Sequence, residues 1–538
     1  MNRRQLLQAG FVGAASLMSG CGQRWPSWAM IPPWLPIKVL NVGMQQGHRL
    51  RDLRQLPPVS AHRHVDTLIL GSGMAALSAA FRLKQAGHTD VLMLDGVEWA
   101  GNSSAGVWQG LGYPRGAHYL PFPTPESSHV QQILRTLEMW QGGSTGDAAQ
   151  YRETDVVFAP TERLWQDGKW HDSIVPQVAK GSDSEQQLKR FLQFTDQLKG
   201  KRGRDGKRLF AIPVLLSSQD AEWRQLEKIT FADWLKAQGY HTPELLWYLN
   251  YSCKDDYGAG MDTVSAWAGL HYFASRVHEH DHHDATPLLT WPDGMHHLAM
   301  QMAQYAQVPR LPLTAIKLST QAQSATVLAM DTRGKLTQIT ARRVISAMPL
   351  HVLKHVWDQA GEIGLQQPNA LLPQVPWLVC NVWIDGVLPE KQGTGRCWEN
   401  IIYGSESLGF VDATHQMLRA SAQPKTVLTC YHAMTHLPPT QARQWLTHAT
   451  PLELIELGLQ DLLTAYGTSL WRYVQGVEVC VRGHAMSAPA TGFLSHPLLE
   501  RLRAVDGVVQ LAHSDLSGYS IFEEASFWGW RAAEQILS

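Results

Sequence analysis

The clearest alternation of period along the chain begins at His64, in "HVDTLILGSGMAALSAAFRLKQAGHTDVLMLD". Val65 to Leu70, ending in the apolar Leu68–Ile69–Leu70, predicts a buried strand, and a glycine turn ends it. Met74 to Gln85 carries small and apolar residues at helical spacing, closed by Gly87, and Asp90 to Leu94 reads as a second strand. Residues 121–289 are mostly helical in pattern, with "FADWLKAQGY" and "TPELLWYLNYSC" as amphipathic pieces. From Leu311 the period falls to two in "LTAIKLST", "ATVLAMDTRGKLTQITA" and "RRVISAMP", where "DTRGK" predicts a hairpin tip. Mixed strand and helix run from Trp377 to about Val481. The last stretch, "GVVQLAHSDLSGYSIFEEASFWGWRAAEQIL", is again strand, tight loop and helix. Residues 22–61 hold Pro26, Pro32, Pro33, Pro36, Pro57 and Pro58 without a sustained period, and are expected to be a tether packed partly on the surface.

A strand, glycine turn and helix in that order predict a dinucleotide site. Gly71, Gly73 and Ala76 occupy the three fingerprint places: Gly71 for the sharp turn, Gly73 for close approach of backbone to a pyrophosphate, Ala76 for helix–strand packing. The helix N-terminus at Met74 offers free N–H groups to the anion. Asp95 ends the next strand, where a carboxylate holds ribose hydroxyls. Three further features favour a flavin over a nicotinamide. A second glycine turn, Gly101–Asn102–Ser103, follows Asp95. The strands around Ala315 resemble the small sheet that crosses over the first half in flavoproteins. "VVQLAHSDLSG" sets Asp515 at a strand end, beside the expected ribityl chain.

These pieces, in this order, resemble the FAD-dependent amine oxidase superfamily, including monoamine and polyamine oxidases and phytoene-desaturase-like enzymes. The resemblance spans about Val65 to Leu537 and implies an α/β fold. Its Rossmann-like FAD-binding domain would be discontinuous (62–120, 290–350 and 482–538), with an α+β substrate domain inserted at 121–289 and 351–481. It also implies hydride transfer from a substrate C–H to flavin, with oxygen or a membrane electron carrier as the final acceptor. Two departures stand out. Asn102 and Ser103 replace a frequent Gly-Arg, and the strand "PWLVCNVWIDG" offers Cys380 and Asn381 where many amine oxidases carry a lysine. No cysteine stands at the C-terminal place used for covalent attachment, so non-covalent FAD is expected.

Composition narrows the partners. The 538 residues are 44% hydrophobic and 17% charged with a formal net charge of −1, so no global field favours nucleic acid. The first 21 residues resemble a twin-arginine export signal (Arg3, Arg4) ending in a lipobox. Export of the folded protein to the periplasm and lipid anchoring at Cys21 are therefore expected. Six cysteines without C-x-x-C spacing exclude a zinc cluster or a dense disulfide scaffold.

For the chemistry, "RGAHYLP" brings His118 and Tyr119 beneath the flavin in the family's pattern; a structural histidine is the alternative. Tyr519 follows the flavin acid and is read as a pocket wall or as packing. "NYSCKDDYGAG" sets Asp256 and Tyr257 in a polar loop after a helix. Its paired carboxylates suit the second ammonium of a diamine or polyamine, or else a solvated helix cap. "HEHDHHD" (His278 to Asp284) is crowded without metal-site spacing and reads as a surface loop, so no metal is expected. The leading activity is oxidation of an amine C–N bond. The alternatives are a flavin dehydrogenase or desaturase acting on C–C bonds of an apolar substrate, and flavin binding without turnover.

Overall fold

A computed structural model describes residues 31–52, 55–143, 150–276, 288–366, 373–418 and 424–538. The export and lipobox segment with Cys21 and the His278–Asp284 run lie outside them. Leu68, Ile69 and Leu70 are fully buried because their strand, Val59–Leu70, lies between two parallel neighbours, Val91–Leu94 and Leu336–Ser346. The strand begins six residues before the expected Val65. Its first half, Val59–His64, is largely exposed and held by backbone pairing to Leu336–Thr340, so no hydrophobic period marks it. The sheet runs in the order 310–311, 91–94, 59–70, 336–346, 325–330, 314–320, with Val509–Leu511 also beside Leu336–Ser346. The hairpin strands thus extend the parallel sheet.

The fingerprint helix Met74–Gln85 packs on the C-terminal helix Phe522–Leu537. A Cβ on Gly529 would stand 2.0 Å from the Ala75 carbonyl oxygen, so only glycine admits this approach. Ala532 and Ala533 are fully buried, and Ser78 Oγ donates to Ser526 Oγ across the contact at 2.9 Å.

A second sheet of eight strands is ordered 37–41, 474–487, 374–385, 425–433, 410–412, 399–402, 162–166, 169–172. Its outermost strand, Ile37–Asn41, corrects the expectation of a tether. It pairs in parallel with Val474–Ser487, Ile37 opposite Val477 and Asn41 opposite Val481, and Ile37 and Val39 pack on that sheet's aliphatic core. Five residues among prolines are too few to show a period. The helix Met44–Asp52 follows directly.

The chain visits the second sheet at 37–41, 162–172 and 374–487 and the first at 59–94, 310–346 and 509–511, an α/β organisation in which the strand Val474–Ser487 carries the second sheet past the boundary expected at 482. The helices Asp183–Leu198, Phe231–Ala237, Pro243–Tyr257 and Ala266–Ala274 share one apolar cluster through Phe191, Phe231, Leu249 and Trp267.

Candidate active site

A cavity of about 1230 Å³ is lined by residues from both sheets. At one end stands the glycine turn. Gly71 has φ +111°, and a Cβ there would meet the Ala347 carbonyl oxygen at 3.3 Å, so the turn itself requires glycine. Gly73 differs. Its φ is −71°, open to any residue, and a Cβ added there would meet nothing within 4 Å. Neither backbone nor packing explains this glycine; it keeps space free at the mouth of a helix, where a dinucleotide phosphate fits.

Asp95 supports the same conclusion. Its Oδ1 is sealed from solvent without a hydrogen-bond partner, the nearest cation being Arg310 Nε at 3.8 Å. Burial pushes its carboxyl above the ordinary value, against the pull of Arg310. Ribose hydroxyls would satisfy it. Met74, Gly101, Asn102, Ser103, Ala315 and Asp515 also line the cavity. Ala76 does not. It is fully buried and serves the close packing that the fingerprint's third place requires.

Two of these residues spend their polar groups on protein. Asp515 accepts from Leu350 N at 2.9 Å and lies 3.4 Å from His513 Nδ1. Burial opposes its ionisation, yet His513, His351 and the Leu350 amide hold the carboxyl well below the usual range. Asn102 Nδ2 donates to the Ala485 carbonyl at 2.7 Å, and its Oδ1 accepts from Arg482 at 3.3 Å. Arg482, on the strand Val474–Ser487, also bonds Glu98, Ser104 Oγ and the Arg115 carbonyl. An arginine thus stands against the second glycine turn, supplied from the other sheet instead of from the turn.

Another part of the lining is acidic and aromatic. Asp255 and Asp256 lie in the last turn of the helix Pro243–Tyr257, which ends at Gly258 in the left-handed conformation (φ +63°). The expected polar loop is therefore helix, and its aspartates line the cavity. A helix C-terminus is the unfavourable end for an anion. Burial, then Asp256, pushes Asp255 up to about 7, while the Tyr119 hydroxyl, donating to its Oδ2 at 3.3 Å, opposes this. Burial pushes Asp256 up to about 6 against the pull of Arg276. Glu399 joins them from the strand Glu399–Ile402. It accepts from Tyr251 Oη at 3.3 Å and is raised well above its ordinary value by burial and by Asp255 and Glu162. Among the described residues, no ion pair reaches Asp255 or Glu399.

His118 lines this part, stacked on Tyr431 with ring centroids 4.6 Å apart and tilted against Trp398 at 5.3 Å. Its Nε2 is sealed from solvent without a partner, and burial lowers its pKa to about 3. The ring is therefore neutral. Tyr257 and Tyr519, expected in the site, do not line it. Tyr257 Oη donates to the Ala268 carbonyl at 2.9 Å, and its ring meets Tyr519 edge-on at 5.2 Å. Gly518, at φ +77°, turns the chain so that Tyr519 enters the core while Ser520 to Phe522 face the cavity.

Sequence reasoning missed Glu399, Tyr431 and Arg482 in the lining, and Trp398 packed against His118 behind it. The charges had a signal: Glu399 in "CWENII" and Arg482 in "VEVCVRGHAM" interrupt apolar strands, where an ion without a role is unfavourable.

Residues 69–137 match the family described as an NAD(P)-binding Rossmann-like domain. No curated protein matches the chain. Among solved structures, a putrescine oxidase with redesigned cofactor binding superposes with a TM-score of 0.60 at 14% identity, over 88% of this chain and 99% of that one. Cyclohexylamine oxidase from Brevibacterium oxydans IH-35A gives 0.60 at 16% identity, over 88% and 98%. A fatty acid isomerase from P. acnes that produces CLA gives 0.58 at 15%, over 87% and 97%. The chain shares their fold.

Proposed function

We propose that this chain is an FAD-dependent oxidoreductase that oxidises the C–N bond of a cationic amine. The observation that carries the reading is the pair Asp255 and Glu399, deep acids that no ion pair among the described residues reaches, in the cavity that holds the dinucleotide cradle. An ammonium supplies the missing charge, and Asp256, on the same cavity lining beside Arg276, adds a third carboxylate toward the second ammonium of a diamine or polyamine. FAD, bound non-covalently by the Gly71–Met74 turn and Asp95, would supply the hydride acceptor.

The chain's own residues handle the proton. An ammonium must lose its proton before its carbon gives up hydride, and the acceptor with the higher affinity prevails. Burial raises the proton affinity of both Asp255 and Glu399 and lowers that of His118. The acid pair, and not His118, therefore receives the proton. His118, neutral and stacked on Tyr431, offers Nε2 as a hydrogen-bonding wall, and the Tyr431 ring excludes water, with Trp398 packed against His118 outside the lining. The same acids disfavour an apolar alkene or a carboxylate substrate, which weighs against C–C dehydrogenation.

Anaerobic titration with mono-, di- and polyamines tests the reading: bleaching of the flavin band is the expected result. A flavin reduced by an apolar alkene precursor and by no amine would overturn it in favour of the desaturase chemistry, and a protein devoid of flavin after reconstitution would overturn both. Release of free FAD by acid checks the non-covalent bond. Export through the twin-arginine route and anchoring at Cys21 belong to the same proposal. Replacing Arg3 and Arg4 by lysine should leave flavin-loaded protein in the cytoplasm, and unchanged export would reject the route. No helix among the described residues is long and apolar enough to cross a membrane.

A further inference from the structure

The chain N-terminal to the fingerprint lines the dinucleotide cavity too. Asn41, Val42, Gly43, Met44, Gly47 and His48 all face it. This segment is fixed at separate points. Val42 N donates to the Val481 carbonyl at 3.3 Å, continuing the pairing of Ile37–Asn41 with Val474–Ser487, and Lys38 Nζ reaches Glu478 at 2.8 Å. Gly43, at φ +69°, turns the backbone onto Val97, two residues beyond Asp95. The helix Met44–Asp52 touches the helix Leu350–Val356, whose first amide holds Asp515. Arg49 lies on Gly334 of the hairpin tip, 2.2 Å from where a Cβ would be.

Resting on the FAD reading, we infer that residues 37–50 form a strap across the Asp95 side of the cavity and that its opening sets the rate at which the cofactor leaves. Ile37–Asn41 is an edge strand with one neighbour, so it detaches without unpairing the other seven strands. That neighbour follows it by 440 residues at the Lys38–Glu478 contact, so the strap takes its place only once the rest of the second sheet exists. A short, half-exposed edge element of this kind opens at low free energy, and a ligand beneath it escapes at a rate proportional to the open fraction.

The seat on Val97 provides the test. A Cβ on Gly43 would lie 3.7 Å from Val97 Cβ, within the range of about 3.5–4.5 Å that a disulfide bridges. The full chain carrying Gly43→Cys and Val97→Cys, with Cys21→Ser to avoid competition, is loaded with FAD and oxidised, and release is followed by the fluorescence of free flavin. Release should slow at least about tenfold when oxidised relative to the same protein reduced. A second variant, Val39→Asp, loosens the strand and should release flavin at least about tenfold faster than the parent. Flavin bound but released at equal rates in all forms overturns the strap and leaves the flavin site standing. Failure of the cysteines to join, by thiol titration, in a protein that keeps the parent's circular dichroism overturns the seat on Val97; if a side chain at the left-handed Gly43 unfolds the chain, Val39→Asp decides the strap. A protein holding no flavin overturns the FAD reading, and the strap with it.

Discussion

Asp255→Asn should stabilise the ligand-free protein while abolishing its response to amines. An aspartate pushed from its ordinary value near 3.8 to about 7 withholds about 4 kcal/mol from the fold once both states are ionised, at 1.4 kcal/mol per tenfold change. The sign follows from proton counting. The folded chain binds the proton more tightly than the unfolded one, so nothing is lost below pH 3.8. The deficit then grows as pH rises and is complete above about 7. Asparagine, neutral at every pH, removes it, so the gain should be about 4 kcal/mol at pH 8 and about 1–2 kcal/mol at pH 5. With an unfolding entropy near 2 cal/mol/K per residue over a chain of this length, the pH 8 gain raises Tm by about 3–4 °C. Calorimetry of the apoprotein at the two pH values measures it, and amine-driven bleaching of the holoprotein should be lost in the same variant. A gain equal at both pH values, or a loss at pH 8, would refute the picture of Asp255 as an acid held without a cation.

At Gly73 an added Cβ would meet no protein atom within 4 Å and no backbone strain, which makes Gly73→Ala the clean test. The fold should survive by circular dichroism while flavin affinity falls at least about tenfold by fluorescence titration. His118→Phe keeps the stack on Tyr431 and removes Nε2; flavin content should hold and the reduction rate by amine should fall less than about tenfold in stopped flow. A drop of about a hundredfold or more would make His118 the proton acceptor after all. Gly529→Val drives a side chain into the Ala75 carbonyl and should lower stability by about 1–3 kcal/mol or more in denaturant titration, with reduced flavin retention as the fingerprint helix shifts.

The parts of the fold legible in the sequence are those whose period is produced by burial. Thr67–Leu70 and most of Met74–Leu83 sit in the buried middle of the first sheet and its covering helix, and their apolar spacing says so. Val59–His64 and Ile37–Asn41 are equally regular in backbone but were opaque. One is held by main-chain pairing with its side chains in water, and the other is half-buried over five residues only. Hydrogen-bonded register leaves no trace in hydropathy when neither face is buried.

The candidate site divides along the same line. The cofactor part is local: Gly71, Gly73, Met74 and Asp95 lie within 25 residues, their chemistry tied to one turn, so a short window reveals them. The acidic part is assembled by topology. Asp255 comes from a helix end, Glu399 from the strand that pairs with Glu162–Gln166, and His118 from a loop stacked on Tyr431 of a third strand. Tyr257 and Tyr519 were read as site residues because they adjoin Asp256 and Asp515 in sequence. Yet a helix turns neighbouring side chains 100° apart, and a left-handed glycine reverses the chain, so adjacency sent both into the core. What distinguishes Asp255 and Glu399 from the paired Glu478, which Arg115 holds at 2.6 and 2.9 Å, is the cationic partner each lacks among the described residues. That property belongs to no window of sequence and is visible only once both sheets have closed around the cavity.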